Sequence, residues 1–402
     1  MASALPQFSL APPSSSPFDR VCDPATLAAA WDHVRRAAAR SVSQAVRDEA
    51  RRFEAGAEDR LACIADEIRE GRFAFAPARG VARPRPGKPA RPIVVAPVES
   101  RVVARALVAV LADTPAVADA CLRVPTSFGG VPGRGVEQAV GAAVAAVGAG
   151  ASFYAASDVA EFFRALPRRR ALAEIDRLTQ DARLAAILED ATRTEIDNLA
   201  ALGDDARLFP GEEEGVAQGS SLSTLLGNVL LRGFDEAMNG RGIVCLRYVD
   251  DFLVLGPRAP HVRKAFSSAQ RILGELGLRA YDPAREPGKA AMGHTAGGLA
   301  WLGCEIAGGR ARPSARSRAA LIERVERLLR DRGREAGIGE AIRAVEDAVR
   351  GFEGAYRFCD CPEVFHALDD RIGRLVDAAV REHRPRLCST RPRATKRFAA
   401  SA

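Results

Sequence analysis

The stretch Ile243-Val-Cys-Leu-Arg247-Tyr248-Val249-Asp250-Asp251-Phe252-Leu-Val-Leu-Gly256 constrains this chain more than any other. Two apolar runs rich in strand-forming residues flank an adjacent pair of aspartates, which predicts a β-hairpin with Asp250-Asp251 at its tip. Burying such strands brings two carboxylates together at one edge of a core. There they repel, and a divalent cation relieves the repulsion. An Asp-Asp pair between strands also makes a plain solvated turn, so the choice between site and turn falls to the rest of the sequence.

Three other stretches bear on that choice. In Ser152-Phe-Tyr-Ala-Ala-Ser-Asp158 a short strand delivers a carboxylate at its end, and Glu161-Phe162-Phe163 then turns the chain into helix. Asp158 there is placed to act as a ligand or to cap the helix. In Gly215-Val-Ala-Gln218-Gly219-Ser220-Ser221, the glycine permits a tight backbone, the serines cap, and a long apolar helix runs on to about Met238. Backbone amides at such a helix start can hold a nucleotide or a template strand, although a merely well-capped helix reads the same way. Upstream, Pro77 to Val98 is basic, with a turn at Pro86-Gly87 and a strand at Ile93-Val94-Val95. Lys88 and Arg91 sit beside that turn, where a basic hairpin can close on a triphosphate; the alternative is a solvated basic loop.

Composition narrows the partners. A net charge of +7 and a pI near 9.2 are compatible with a polyanion. The basicity is almost wholly arginine, with lysine only at 88, 264, 289 and 396, and guanidinium forks suit phosphate. So much Ala, Gly and Arg equally fits a GC-biased genome. The glycine-rich loop Ser127-Phe-Gly-Gly-Val-Pro-Gly-Arg134 is not a G-x-G-x-x-G fingerprint, and no Walker A sequence occurs, which leaves dinucleotide and P-loop chemistry unsupported. Eight scattered cysteines, mostly in apolar context, suit buried thiols in a reducing compartment. Cys359-Asp-Cys361, with His366 and Cys388 nearby, lacks the Cys-x2-Cys spacing of a zinc site. The start of the chain shows no basic n-region or cleavable apolar run, and no stretch reaches the ~18 uninterrupted apolar residues of a membrane span. The expectation is a cytoplasmic protein without membrane partners.

The order of these stretches is more specific than any one of them. Basic hairpin, strand-end aspartate, Gln-Gly-Ser loop and helix, Tyr-x-Asp-Asp hairpin, lysine and Leu-Gly strand follow the sequence of reverse transcriptase motifs. Tyr248-Val249-Asp250-Asp251 resembles that family's Tyr-x-Asp-Asp box, Gln218 to Asn228 is similar to its Gln-Gly-x-x-x-Ser box, and Asp158-Val-Ala-Glu-Phe-Phe163 looks like its first carboxylate motif. The resemblance covers roughly residues 25–310 and points to the bacterial branch with retron, group II intron and phage-defence enzymes. Two departures stand out: Ala217 and Thr224 occupy positions where the family commonly has proline, which alters loop rigidity.

The resemblance implies an α+β right-hand polymerase. Fingers and a palm, an antiparallel sheet backed by helices, would be followed by an all-helical thumb. The expected boundaries are a flexible arm at 1–23, N-terminal helices and fingers at 24–150, palm at 151–312, thumb at 313–380 and a basic tail at 381–402. It implies that Asp158, Asp250 and Asp251 hold two Mg2+ ions, with Mn2+ as a substitute, so Asp158 must lie beside the Asp250 hairpin. Lys88 and Arg91 would grip the incoming triphosphate, Phe163 would gate against a 2′-hydroxyl, and Gln218 and Gly219 would position nucleotide and template. Lys289 would line the pyrophosphate side. Tyr248 and Val249 would meet the primer end, and Trp301-Leu302-Gly303 resembles the primer-grip strand. The partners implied are an RNA template, a nucleic-acid primer, dNTPs and a cognate non-coding RNA, in a retroelement or antiviral defence system. Rival readings are untemplated or protein-primed DNA synthesis, a catalytically silent RNA-binding or splicing factor, and, more distantly, a nucleotide cyclase palm, which needs no Gln218-Gly219.

Overall fold

The computed structural model describes residues 15–85, 88–211 and 214–388. The Pro86-Gly87 turn, most of the expected arm, and Arg391, Arg393, Lys396 and Arg397 of the expected tail lie outside the described residues. The chain divides into two compact units, Met1–His294 and Thr295–Ala402. Among the described residues no helix is long and apolar enough to cross a membrane.

In the first unit, β1 (Arg79–Arg85) and β2 (Lys88–Val95) form an antiparallel hairpin, irregular between Arg83 and Arg85. The basic stretch is thus a paired ribbon and not a solvated loop. The central sheet is antiparallel throughout and contains β3 (Phe153–Asp158), β4 (Val244–Tyr248), β5 (Asp251–Gly256) and β6 (Ala290–His294), in the order β4-β5-β3-β6. Phe252, Leu253, Val254 and Leu255 of β5 are all fully buried, so both faces of that strand are covered. On one face Phe252 meets Phe234 at 5.4 Å and Phe266 at 6.0 Å between ring centroids. Phe266 belongs to the helix Ala259–Glu275, whose Val262, Phe266, Ala269 and Leu273 recur at helical spacing and turn inward.

The helix expected to run from the Gln-Gly-Ser loop to Met238 is two helices, Ser221–Leu230 and Arg232–Met238. The backbone leaves helical values at Leu231 (φ −87°, ψ 5°), and the second piece carries Phe234 onto β5.

In the second unit, β7 (Leu299–Trp301), β8 (Cys304–Ala307) and β9 (Arg310–Pro313) form an antiparallel sheet. The expected palm–thumb boundary at 312/313 therefore falls inside a strand. Its alternation explains this, because Ala311 and Pro313 face in while Arg310 and Arg312 face water. The division of the chain falls at 294/295, upstream of the expected 312/313. Three helices follow, Ala315–Glu335, Ile338–Tyr356 and Pro362–Cys388. The last absorbs residues 381–388, the first part of the expected tail. Cys304 and Cys359 are hydrogen-bonded thiols, which burial pushes up to about 11 and about 12, so neither is a reactive thiolate at neutral pH.

Candidate active site

The hairpin around Asp250 is tighter than its sequence suggests. Tyr248 pairs with Asp251 across β4 and β5, so the two turn residues are Val249 and Asp250, and Asp251 already belongs to the strand. The expected Asp250-Asp251 tip is corrected by one residue. Val249 adopts φ +60°, a conformation that crowds a β-branched side chain and costs about 1–3 kcal/mol, which its surroundings must offset.

Asp158 ends β3 directly across from Asp251. One step further, the Val159 amide donates to the Asp250 carbonyl at 2.9 Å, tying the two carboxylate-bearing segments together at the backbone. The helix-cap alternative for Asp158 is not what the structure shows. The short helix Phe162–Ala165 starts at Glu161, with no side-chain cap.

The carboxyls pay for this proximity in desolvation and repulsion. Burial first, then the charge on Asp158, pushes Asp250 up to about 6, while Arg91 and Lys289 oppose the rise. Asp251 is also raised, by burial, by a hydrogen bond with the Asp158 carboxyl and by the charges of Asp158 and Asp250. Among the described residues no group of three His, Cys, Asp or Glu side chains is gathered tightly enough to hold an ion. The Asp158 carboxyl faces that of Asp251 and opposes its ionisation. A donor set of desolvated, mutually repelling oxygens fits a hard divalent cation, whose charge offsets the repulsion.

The other expected site residues in the first unit are near this centre or linked to it. Arg91, exposed on β2, and Lys289, just before β6, both act electrostatically on Asp250. The Lys289 ammonium also stands 5.1 Å over the Tyr281 ring, and the Tyr281 amide donates to the Asp158 carbonyl at 3.3 Å. β2 is stitched to the Gln-Gly loop by the Val94 amide, which donates to the Gln218 carbonyl at 2.8 Å. Phe163 lies edge-on to Phe162 at 5.4 Å, and its carbonyl accepts from the Val216 amide at 2.7 Å. The hairpin and Phe163 are thus both anchored on the segment 216–218. A cavity of about 560 Å3 opens beside Val94, Gly219 and Ser220, but none of the three aspartates lines it.

Gly219 is at φ +113°, and a Cβ there would stand 3.0 Å from the Val94 carbonyl oxygen. On the activity that the sequence resemblance implies, Gly219→Ala is therefore expected to loosen β2 from the loop and raise the KM for dNTP several-fold, with turnover at saturation less affected. Steady-state kinetics check this; an unchanged KM would show that the stitch does not matter.

Trp301, Leu302 and Gly303 lie in the second unit. Trp301 is buried on β7. Leu302 (φ +49°) and Gly303 (φ +78°) form the two-residue turn into β8, and a Cβ on Gly303 would meet the Tyr356 hydroxyl at 2.7 Å.

Sequence patterning passed over a buried ion pair beneath the Val249-Asp250 turn. Arg247 is 1 % exposed and Asp235 3 %. The available signal was a lone arginine inside an apolar strand run, which must find a partner if it is buried.

Residues 84–305, more than half of the 402-residue chain, match the model of a family described as reverse transcriptase (RNA-dependent DNA polymerase). No curated protein matches. Among solved structures, the chain is similar to a partial Cas6-RT-Cas1–Cas2 complex at 20 % identity and a TM-score of 0.39, over 65 % of this chain and 42 % of that one. It is similar also to apo telomerase from Candida tropicalis truncated from its C-terminal domain, at 12 % identity and a TM-score of 0.42, over 60 % and 55 % of the two chains. The chain spans less than half of the Cas6-RT-Cas1 chain and about half of the telomerase chain.

Proposed function

The chain belongs to the reverse transcriptase family, and from that premise we propose that it adds dNTPs to a primer 3′ end by copying RNA, in a bacterial retroelement or antiphage defence system. The observation that carries this reading is the register of β3 on β5, which sets Asp158 across from Asp251 with Asp250 in the adjoining turn. In this reading the central sheet is the palm, the β1–β2 hairpin belongs to the fingers, and the three C-terminal helices are the thumb.

Asp158 and Asp250 would hold two Mg2+ ions, with Asp251 as the more peripheral carboxylate. When bound, such ions activate the primer hydroxyl and neutralise the pyrophosphate that leaves. The chain's own residues do the rest. Arg91, on the strand that Lys88 opens, faces the incoming triphosphate as a fixed guanidinium charge. Lys289, whose charge already offsets that of Asp250 and Asp251, stands on the pyrophosphate side. Gln218 and Gly219 position nucleotide and template, Tyr248 and Val249 meet the primer terminus, and Trp301 to Gly303 are assigned the primer grip.

The deciding experiment supplies an RNA template, an annealed DNA primer, dNTPs and Mg2+, and sequences the product with and without the RNA. Product complementary to the RNA supports the reading. Product of the same sequence without RNA, or none with any template, would overturn it. Sequencing the nucleic acid that copurifies with the chain tests its biological setting.

Phe163 is assigned the sugar gate, and its anchoring on the 216–218 segment supports that place. Phe163→Ala is expected to raise ribonucleotide incorporation relative to dNTP at least about tenfold, since a bulky wall discriminates by one to a few kcal/mol. Competition between rNTP and dNTP measures this, and an unchanged ratio removes Phe163 from the role.

A further inference from the structure

Arg247 uses its whole guanidinium beneath the Val249-Asp250 turn. Its Nε donates to Asp235 Oδ1 at 2.7 Å, and its Nη2 donates to Asp235 Oδ2 at 2.5 Å and to Ser127 Oγ at 2.8 Å. Its Nη1 donates to Asn228 Oδ1 and to the Val249 carbonyl, both at 2.9 Å. All five N–H groups are therefore satisfied. Asn228 Nδ2 donates in turn to the Gly129 carbonyl at 3.0 Å. The backbone of Arg247 is held as well, its amide donating to Thr126 and its carbonyl accepting from Phe128.

A buried ion pair is in itself weak evidence for stability, since an apolar pair of similar volume often does as well or better. What an apolar pair cannot do is hold the Val249 carbonyl. That carbonyl belongs to the peptide that enters Asp250, on the residue at φ +60°. The carbonyl on the far side of Asp250 accepts from the Val159 amide. Asp250 is thus clamped through both of its peptide groups, by Arg247 on one side and by the Asp158 segment on the other.

Resting on the polymerase reading above, we propose that Arg247 is a positioning residue for nucleotidyl transfer: through the Val249 carbonyl it imposes the strained turn that aims Asp250 toward Asp158. Asp235 fixes the guanidinium, and Asn228 and Ser127 tie it to the loop around Gly129. Lysine at 247 keeps the charge opposite Asp235 but lacks the planar fork that reaches all four partners.

The test compares Arg247→Lys with the double variant Arg247→Met/Asp235→Leu, which removes the buried charges together. Three quantities are read on each: melting temperature, Mn2+ affinity by titration, and primer extension. For Arg247→Lys, turnover is expected to fall at least about tenfold and Mn2+ affinity by about ten- to a hundredfold, the range for groups that orient a metal ligand, with the KM for dNTP within about twofold. The double variant is expected to melt close to the wild type and yet share both losses. Wild-type Mn2+ affinity and turnover in a folded double variant, or wild-type turnover in Arg247→Lys, would overturn the proposal. Mn2+ binding is read whether or not the chain extends primers, so failure of the wild type to polymerise counts against the polymerase reading and not against Arg247.

Discussion

Replacing Asp250 with Asn is expected to reduce primer extension by at least about a thousandfold, the upper range for loss of one group that stabilises transition-state charge, while leaving the metal-free protein harder to melt. The second half follows from burial. The Asp250 carboxyl titrates at about 6 in the folded chain against an ordinary value of 3.8. Between those two values the folded state binds more protons than the unfolded state, so stability falls as pH rises through that window, and the penalty is complete above about pH 6. Asn carries no charge at any pH and escapes it. Without divalent cations, Asp250→Asn should therefore melt a few degrees above the wild type at pH 7.5 and level with it below about pH 4. Mg2+ should then raise the melting temperature of the wild type at pH 7.5 and leave that of Asp250→Asn nearly unmoved. Calorimetry at the two pH values, with and without Mg2+, checks all of this. A variant that keeps its activity, or that is less stable than the wild type at pH 7.5, would show that this carboxylate is held for some other purpose.

Stability given up at a site is recovered only when the site is loaded, and the elements that create the strain are those whose sequence is easiest to read. β3 and β5 are short apolar runs, one ending and the other beginning at an aspartate, and such runs are found without knowledge of the tertiary structure. Their pairing, which sets Asp158 across from Asp251, links positions some ninety residues apart, and only the resemblance to a family pointed to it. The one-residue error at the hairpin tip has a local cause. Turn propensities favour Asp at such positions and disfavour a valine at positive φ, whereas Val249 is held there by bonds from Arg247 that propensity does not record. The expected boundary at 312/313 cuts the strand Arg310–Pro313, since alternation over four residues, two of them arginine, looks like a linker until β8 is seen beside it. The network beneath the turn was the least legible part. Ser127, Asn228 and Asp235 are each unremarkable in their own segments, and only a fold that buries Arg247 gives them a common partner.

The glycine-rich loop at 127–134, which matched no phosphate-binding fingerprint, finds its reason in the same network and yields the second large effect expected. A Cβ on Gly129 would lie 2.5 Å from both the backbone nitrogen and Cγ2 of Val249, and 2.9 Å from the Tyr248 carbonyl carbon. A flexible side chain can swing away from such an intrusion, but the backbone of a two-residue turn cannot. The neighbouring Gly130 differs: at φ +73°, a Cβ there would run into the Thr224 side chain and not into the turn. Gly129→Ala should therefore displace the Val249-Asp250 peptide and pull Asp250 out of line with Asp158. A misplacement on the order of 1 Å at a reacting centre costs about a hundredfold in turnover. The loss should appear in kcat, with the KM for dNTP within about twofold, because β2 and the Gln218-Gly219 loop are untouched. Melting temperature must be measured alongside, since a small methyl at one loop position need not unfold the sheet. If Gly129→Ala melts as the wild type does and turns over at the wild-type rate, the turn tolerates the shift, and the close packing of the loop on Val249 has no part in aligning the carboxylates.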